Sequence, residues 1–309
     1  MGSQQTSGHH SHHGQDHSHD HSHHAFRWSI GLNAGLTALQ LVIGFGFGSL
    51  ALIGDALHNL GDVIGLALGW GADQLSRQPP RGRFTYGYGR STQIASLING
   101  VLIFAAGVVV VVEGFQRLSS PVPVIAAPVA WAAAAGIVIN LLSARLFGHN
   151  HHHDLNQRAA VLHLLTDAAV SVAVLISAIA VGITGWFWLD ALTAIAVGAA
   201  VIWSALDLLK EAIALNLDAA PRQVNLAEVN AALLALPGIR AVESLHIWGL
   251  STSRIALTAH LVIDAPALAA GALSHQELIH QAQDALAAIG IRKSTLQLET
   301  SHHRCNEHR

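Results

Sequence analysis

The sequence predicts an α-helical, polytopic membrane protein with six transmembrane helices and a small α+β domain at its C-terminal end. Of its 309 residues, 51% are hydrophobic and only 11% are charged, whereas a soluble chain is about one quarter charged. The shortage of charged residues ends near residue 215, beyond which the composition is that of a soluble domain. We therefore expect a transmembrane domain at residues 26–214 and an αββαβ domain at residues 215–309.

The N-terminal segment is low in complexity and rich in histidine, with nine histidines between residues 9 and 24. Because it has almost no apolar residues to bury, we predict that residues 1–25 are disordered. An expression tag is the alternative, although no run of six histidines occurs. The segment also lacks the basic start, apolar stretch and cleavage site of a signal peptide.

Six apolar segments follow the His-rich tail, each close to the roughly 20 residues needed to cross about 30 Å of hydrocarbon. They lie near residues 27–47, 50–75, 92–116, 124–147, 158–183 and 188–212. Arg117 is the only Lys or Arg on one side of these segments, whereas eight lie on the other: Arg27, Arg77, Arg81, Arg83, Arg90, Arg145, Arg158 and Lys210. The positive-inside rule therefore places both termini in the cytoplasm, and we expect a multi-pass protein of the inner, cytoplasmic membrane.

The last part of the chain has the patterns of a small mixed domain. "LAEVNAALLALPGI" has helical spacing and stops at Pro237-Gly238, and "AVESLHIWGL" and "RIALTAHLVID" alternate like strands. "SHQELIHQAQDALAAIGI" is an amphipathic helix that Ser274 opens, and "STLQLET" is a last strand. The predicted order of elements is αββαβ.

Two of the apolar segments each carry a histidine and an aspartate four residues apart. "HNLGD" in the second segment contains His58 and Asp62, and "HLLTD" in the fifth contains His163 and Asp167. Residues four apart share one face of a helix, and an ionisable group at bilayer depth costs roughly 2.5 to 3.5 kcal/mol on insertion scales, so it normally faces a cavity or a partner. A lone histidine of this kind would more often bond to a neighbouring helix; the repeated pair argues for a metal site.

The donor set of these two pairs indicates which metal they suit. Two imidazole nitrogens and two carboxylate oxygens fit tetrahedral zinc. The set has no thiolate for copper(I) and too few oxygens for calcium or octahedral magnesium. Zinc needs neutral imidazole and ionised carboxylate, so its binding would displace protons.

Other polar residues within the spans have less specific interpretations. Asp55 lies one turn before His58 and either orients an imidazole or packs after Gly54. Asp190 opens the sixth segment and is predicted to be its N-cap. Helix-to-helix hydrogen bonding is expected for the four amides within the spans, which are Asn33, Gln40, Asn99 and Asn140.

Taken together, these motifs resemble the cation diffusion facilitator family, and specifically its zinc-transporting members, over about residues 26–300. The resemblance is carried by "GDALHNLGD", "YGYGR", "LING", the His-rich loop after the fourth span, "LHLLTD", "LHIWGL" and "LTAHLVI". It implies a homodimer that exports zinc in exchange for protons by alternating access, with the two His-x-x-x-Asp pairs as transport site. Cadmium, cobalt or nickel would be further candidate substrates.

The resemblance also implies that the C-terminal domain is a cytoplasmic, metallochaperone-like module that dimerises and senses metal. His246, His260 and Glu299 match family positions that bind a regulatory metal. Whether the two histidines share a face depends on the register of the "GLSTSR" turn, because a slip of one residue would separate them. Cys305, with His302 and His303, either completes this site or belongs to a frayed terminus.

The remaining histidines have weaker interpretations. His149 and the three histidines 151–153, with the N-terminal cluster, either capture zinc weakly near the entrance or have no role. His275 and His280 are expected on a helix surface. The loop "RQPPRGRFTYGYGR" contains neither Asp nor His, so we predict no metal there.

Several classes of function conflict with the sequence. A zinc-dependent intramembrane enzyme would need a general base beside a ligand histidine, but Asn59 and Leu164 stand there. No P-loop is present, so transport would be driven by ions. The net charge of −3 gives no reason to expect a nucleic-acid partner, and the single cysteine excludes an internal disulfide. A passive zinc-permeable channel or a membrane metal sensor stays as the alternative to an antiporter.

Overall fold

The structure is a computed structural model that describes residues 18–148, 155–263 and 274–300. Its first six helices are α1 (Ser18–Phe47), α2 (Leu50–Ser76), α3 (Ser91–Ser119), α4 (Ala126–Gly148), α5 (Leu155–Thr184) and α6 (Trp188–Asn216). Five of them, α2 to α6, are long and apolar enough to cross a membrane, and α1 contributes the shorter apolar stretch Gly31–Phe47. The predicted helical membrane domain is thus confirmed.

Helix α1 begins at Ser18, earlier than the apolar segment that was predicted to start near residue 27. Residues 18–25, expected to be disordered, form its first turns. A helix that is already nucleated extends at low cost, because each further residue adds a hydrogen bond. The rest of the His-rich tail and the loop histidines 149–153 lie outside the described residues.

Two glycines end helices in the left-handed conformation that L side chains rarely adopt. Gly48 follows α1 with φ +79°, and Gly185 follows α5 with φ +70°. The backbone N–H of Gly185 donates to the carbonyl of Val181 at 2.8 Å, as is common at helix C-termini. These glycines produce the short connections from α1 to α2 and from α5 to α6.

The described chain forms two compact units, and helices α2, α3 and α6 contribute to both. The first unit comprises Met1–Val63 and Ala106–Ala199. Its helices approach closely at small residues: a Cβ on Gly136 of α4 would lie 2.8 Å from Ser171 Oγ of α5 and 3.1 Å from Gln40 Nε2 of α1. Such small residues allow close packing of membrane helices, and Gly136 of α4 leaves room beside it for the polar side chains of Gln40 and Ser171.

Asp190 occupies a different role from the one predicted. It is buried, its Oδ1 accepts from Ser49 Oγ at 2.5 Å, and its Oδ2 accepts from the backbone N–H groups of Leu50 at 2.7 Å and Ala51 at 3.4 Å. The prediction that Asp190 caps its own helix is therefore wrong. The free N–H groups at the start of α2 are partly positive and unpaired within the helix, so they attract this carboxylate from α6.

The second unit comprises Ile64–Ala105 and Ala200–Arg309, and it contains the predicted C-terminal domain. The domain has α7 (Leu226–Leu234), β1 (Ile239–Gly249), β2 (Ile255–Ile263), α8 (His275–Ala288) and β3 (Lys293–Thr300). Strand β2 is central, antiparallel to β1 and parallel to β3. The predicted αββαβ order is confirmed.

Both helices of this domain begin at the polar residues that suit a helix start. Asn225 accepts from the backbone N–H groups of Ala227 and Glu228, and Ser274 forms a reciprocal capping box with Glu277. Leu278, Ala282 and Leu286, four residues apart, are fully buried in the core against the sheet. His275 and His280 are exposed on α8, as predicted.

Hydrogen bonds join helix α3 of the second unit to the C-terminal αββαβ domain. The fully buried Gln93 of α3 donates from Nε2 to the carbonyl of Gly249 at 2.9 Å, and the Thr252 N–H donates to Thr92 Oγ1 at 3.1 Å. Arg90 also forms an ion pair with Asp218. These contacts position the turn after β1 against the start of α3.

Candidate metal site

The two His-x-x-x-Asp pairs face each other within the first unit. His58 Nε2 of α2 lies 3.3 Å from Asp167 Oδ1 of α5, and His163 Nε2 of α5 lies 3.2 Å from Asp62 Oδ2 of α2. The two imidazole rings are 6.0 Å apart and edge to face. Each histidine thus contacts the aspartate of the opposite helix, so the four residues predicted from the sequence are brought together.

Three of the four residues lie close enough together to share one ion, and His163 contacts two of those three. Ligand atoms at zinc–nitrogen and zinc–oxygen distances of about 2.0 to 2.1 Å stand about 3.3 to 3.4 Å apart on a tetrahedron. The two His–Asp contacts match that separation, and His163 Nε2 lies 3.7 Å from Asp167 Oδ2. Within the part of the chain that the structure describes, His58, Asp62 and Asp167 are the one group of three or more potential ligands whose donor atoms all lie within 4.8 Å of one another.

Exposure of the four side chains increases from one side of the site to the other. Asp167 is 2% exposed and His58 13%, whereas Asp62 is 32% and His163 49% exposed. Within the single chain, the Asp167 side of the site is therefore buried and the His163 side is exposed.

A buried polar network lies next to the site and contains Asp55. Asp55 Oδ2 accepts from Gln40 Nε2 at 2.7 Å and from Ser171 Oγ at 3.0 Å. Gln40 Oε1 in turn accepts from Asn59 Nδ2 at 3.2 Å. These bonds join α1, α2 and α5 at the turn of α2 that carries His58.

The network decides between the two interpretations of Asp55. Within the described residues, Asp55 Oδ1 and His58 Nδ1 have no hydrogen-bond partner, so the carboxylate does not hold the imidazole directly. It acts instead through helix packing. Gln40 bonds between helices as expected, whereas Asn140 makes no side-chain hydrogen bond to the described residues.

Ser171 was not recognised from the sequence. It is four residues after Asp167 and eight after His163, so it lies on the same face of α5. A continuation of the His-x-x-x-Asp spacing to the next turn was the signal that could have identified it. Serine alone is too common on membrane helices to have made that signal specific.

The predicted ligands of the C-terminal domain are only partly brought together. His260 Nδ1 of β2 lies 2.9 Å from Glu299 Oε1 of β3. His246 of β1 is exposed and stands opposite Thr258, with an irregularity in the register between Glu243 and His246. His246 and His260 are therefore diagonal neighbours on one face, roughly 7 to 8 Å apart. Cys305, His302 and His303 lie outside the described residues.

Comparison with known proteins gives matches over both parts of the chain. Residues 27–215 match the cation efflux transmembrane domain, and residues 221–301 match the cytoplasmic domain of cation efflux proteins. Both matches agree with the resemblance drawn from the motifs. The C-terminal domain is accordingly cytoplasmic, and the protein is a multi-pass membrane protein.

Three similar proteins illustrate the relationship. The zinc transporter ZitB of Escherichia coli is 32% identical over 94% of this chain and 91% of its own length. The metal cation efflux system protein CzcD of Cupriavidus metallidurans is 35% identical over 70% of this chain and 68% of its own. A cadmium, cobalt and zinc/H+–K+ antiporter of Bacillus subtilis is 29% identical over 87% of this chain and 86% of its own. On the match to the transmembrane domain and on these identities, the chain belongs to the cation efflux family, whose members are transporters and not enzymes.

Proposed function

We propose that the protein exports zinc from the cytoplasm in exchange for protons, with His58, Asp62, His163 and Asp167 as ligands of the transported ion. The observation that carries the proposal is the reciprocal contact of two histidines with two aspartates, at 3.3 and 3.2 Å across α2 and α5. Two nitrogens and two oxygens at this spacing suit zinc. The related proteins named as zinc transporters support the same substrate.

Proton exchange follows from the same two contacts. In the absence of metal, a histidine nitrogen and a carboxylate oxygen at this distance share a proton, whereas zinc needs the lone pairs of both atoms. Zinc and protons therefore compete for the same four side chains. A protein that alternates between a cytoplasm-facing and an outward-facing state would load zinc on one side and release it where protons are more abundant. The antiporter from Bacillus subtilis is named for exchange of this kind.

Cadmium, cobalt and nickel are further substrates under this proposal. Nitrogen and oxygen donors rank the divalent ions by affinity without excluding zinc's neighbours. One relative is named for cadmium, cobalt and zinc together. Selectivity would then come from the geometry of the four ligands, since the donor types do not decide it.

The cytoplasmic domain is proposed to hold two copies of the chain together in the inner membrane, with both termini in the cytoplasm. His260 and Glu299, 2.9 Å apart, are proposed as part of a regulatory metal site that also uses His246. That proposed site is less complete than the one in the membrane domain, because His246 pairs with Thr258, two residues along β2 from His260.

Zinc flux into proteoliposomes tests the proposed exchange. Purified protein is reconstituted, zinc uptake is followed with an internal fluorescent indicator, and a pH gradient, acidic inside, is imposed or collapsed with an ionophore. We expect uptake to accelerate with the gradient and internal pH to rise as zinc enters. Uptake that is insensitive to the gradient and moves no protons would instead establish the passive channel.

A further inference from the structure

Two cavities lie side by side in the second unit, where the loop between α2 and α3 meets the cytoplasmic domain. One, of about 510 Å3, is lined mainly by aliphatic and aromatic side chains, among them Leu75, Phe84, Ile94, Trp248 and Leu250. The other, of about 480 Å3, is polar and carries Arg77, Arg254 and Lys293. Thr85 and Tyr86 line both cavities. A mainly apolar cavity, which also has Arg83 and Arg90 in its wall, thus adjoins a cationic cavity.

Two of the three cations in the polar cavity are available to an anion. Arg77 forms an ion pair with Asp73 at 2.8 Å. Arg254 reaches the carbonyl of Ser76 at 3.3 Å, and the Lys293 ammonium lies 4.7 Å above the Tyr86 ring. Among the residues that the structure describes, no carboxylate forms an ion pair with Arg254 or Lys293. The cavity therefore has an excess of positive charge.

The cavities lie where a membrane helix ends and the cytoplasmic domain begins. Leu75 and Ser76 end the membrane helix α2, while Trp248, Arg254 and Lys293 belong to the cytoplasmic domain. Phe84 and Tyr86 in the loop are about half exposed, and aromatic side chains of this kind collect at the depth of lipid headgroups. The inner leaflet is also where anionic lipids attract basic residues.

We propose that the two cavities together bind one anionic phospholipid of the cytoplasmic leaflet, with its phosphate at Arg254 and Lys293 and an acyl chain beside Phe84 and Trp248. Guanidinium and ammonium groups form charge-assisted hydrogen bonds to phosphate oxygens. A free phosphate ion would occupy the polar cavity alone and leave the apolar one unused. A lipid uses both, and it gives the "YGYGR" loop a role that the ion site does not supply.

Fluorescence quenching of the full-length protein in detergent tests this site. The probe is phosphatidylglycerol with brominated acyl chains, and brominated phosphatidylcholine is the zwitterionic comparison. A bromine near Trp248 quenches its emission, but lipid also quenches exposed tryptophans elsewhere, such as Trp70, Trp131 and Trp203. The signal of this site is therefore the part of the quenching that is lost in Trp248→Phe. We expect that part to appear at a lower concentration of phosphatidylglycerol than of phosphatidylcholine.

Substitutions of the cations give the decisive comparison. Each basic residue near an anionic lipid surface contributes roughly a fivefold gain in affinity, so R254Q/K293Q should weaken binding of phosphatidylglycerol by about thirtyfold and K293Q alone by about fivefold. Arg292→Gln removes the same charge from an exposed neighbour that does not line the cavity and should leave binding unchanged. Zinc flux of each variant in proteoliposomes verifies that the protein is folded.

Three results would overturn the proposal. Equal quenching by the two lipids would show that the headgroup charge is not recognised. Equal weakening by K293Q and R292Q would show that net charge acts without a site. Calorimetric binding of inorganic phosphate, lost in K293Q, together with no preference for phosphatidylglycerol, would assign the polar cavity to free phosphate.

Discussion

In the membrane domain two histidines lie against two aspartates from two helices, whereas in the cytoplasmic domain one histidine lies against one glutamate from two strands. The membrane pairs are four residues apart on helices, so each helix presents both donors on one face. On strands, side chains alternate, and neighbouring strands are about 4.8 Å apart. His246 is accordingly held away from the contact between His260 and Glu299.

The two regions also differ in what surrounds their donors. The membrane site includes the buried Asp167 and adjoins the buried network of Asp55, Gln40 and Ser171. His246 stands exposed at the surface of its strand. A set of donors held on several sides by buried partners is organised before the ion arrives, and losing one member should have a large effect. The comparison therefore predicts that substitutions of donors reduce zinc transport strongly in the membrane domain and weakly in the cytoplasmic domain.

The largest expected effect is the loss of transport in Asp62→Ala and in Asp167→Ala. Each change removes one of the four proposed donors, and we expect zinc flux in proteoliposomes to fall by more than about a hundredfold, beyond the loss seen for partners of ligands. Asp73→Ala, on α2 but outside the site, is the matched control and should transport zinc normally. Normal flux in either site variant would remove the basis for the contrast between the regions.

The next effect concerns pH. If zinc displaces the protons shared by the two His–Asp contacts, zinc affinity in detergent should weaken as the pH falls. The expected loss is about tenfold per pH unit for one displaced proton and about a hundredfold for two. Calorimetry in buffers of different ionisation enthalpy counts the protons released. His163→Ala should lower both the count and the affinity. An affinity that does not change with pH would contradict the exchange.

A smaller effect is expected from the network beside the site. Ser171→Ala leaves Asp55 with one hydrogen bond fewer in a buried position, which should destabilise the protein by about 1 to 3 kcal/mol and slow transport severalfold. Ser177→Ala, also buried on α5 but without a hydrogen-bond partner among the described residues, is the control. Thermal unfolding and zinc flux compare the two variants; equal results would show that the network does not support the site.

In the cytoplasmic domain, His260→Ala should leave maximal zinc flux nearly unchanged. The side chain contacts Glu299 but no complete set of donors within the described residues, so we expect only the zinc concentration at half-maximal flux to shift. Flux at a series of zinc concentrations measures this. A loss as large as that of Asp167→Ala would show that the two regions are equally important for transport.

The smallest effect is expected from Ser274→Ala, which removes the N-cap of α8 and should destabilise the cytoplasmic domain by about 1 kcal/mol without altering transport. The hydrogen bonds from Ser274, chiefly from its backbone N–H, lower the pKa of Glu277. This contribution is present at neutral pH and is lost as the pH falls through the lowered pKa of Glu277. Ser274→Ala keeps the backbone N–H that makes the larger contribution, so the difference in unfolding temperature between wild type and variant should shrink only slightly in acid. A difference that grows in acid would contradict this.

The sequence by itself determined the features that depend on local patterns. The lengths of the apolar segments predicted the membrane helices, because a helix needs roughly 20 residues to cross the hydrocarbon core of a bilayer. The periodicity of apolar residues and the helix-capping residues predicted the αββαβ order. The four-residue spacing predicted that His58 and Asp62 share one helix face and that His163 and Asp167 share another. Each of these depends on residues that are close in the chain.

Only the tertiary structure decided which distant groups meet. Asp190 bonds to Ser49, 141 residues away, and Asp55 bonds to Ser171, 116 residues away. A local pattern could suggest that Asp190 capped its own helix, but a carboxylate is attracted by whichever unpaired N–H groups the packing places beside it. The same holds for His246, since strand register and a local irregularity set its distance from His260. Partner choice among buried polar groups depends on how the helices and strands pack, and that arrangement is not encoded in any short stretch of sequence.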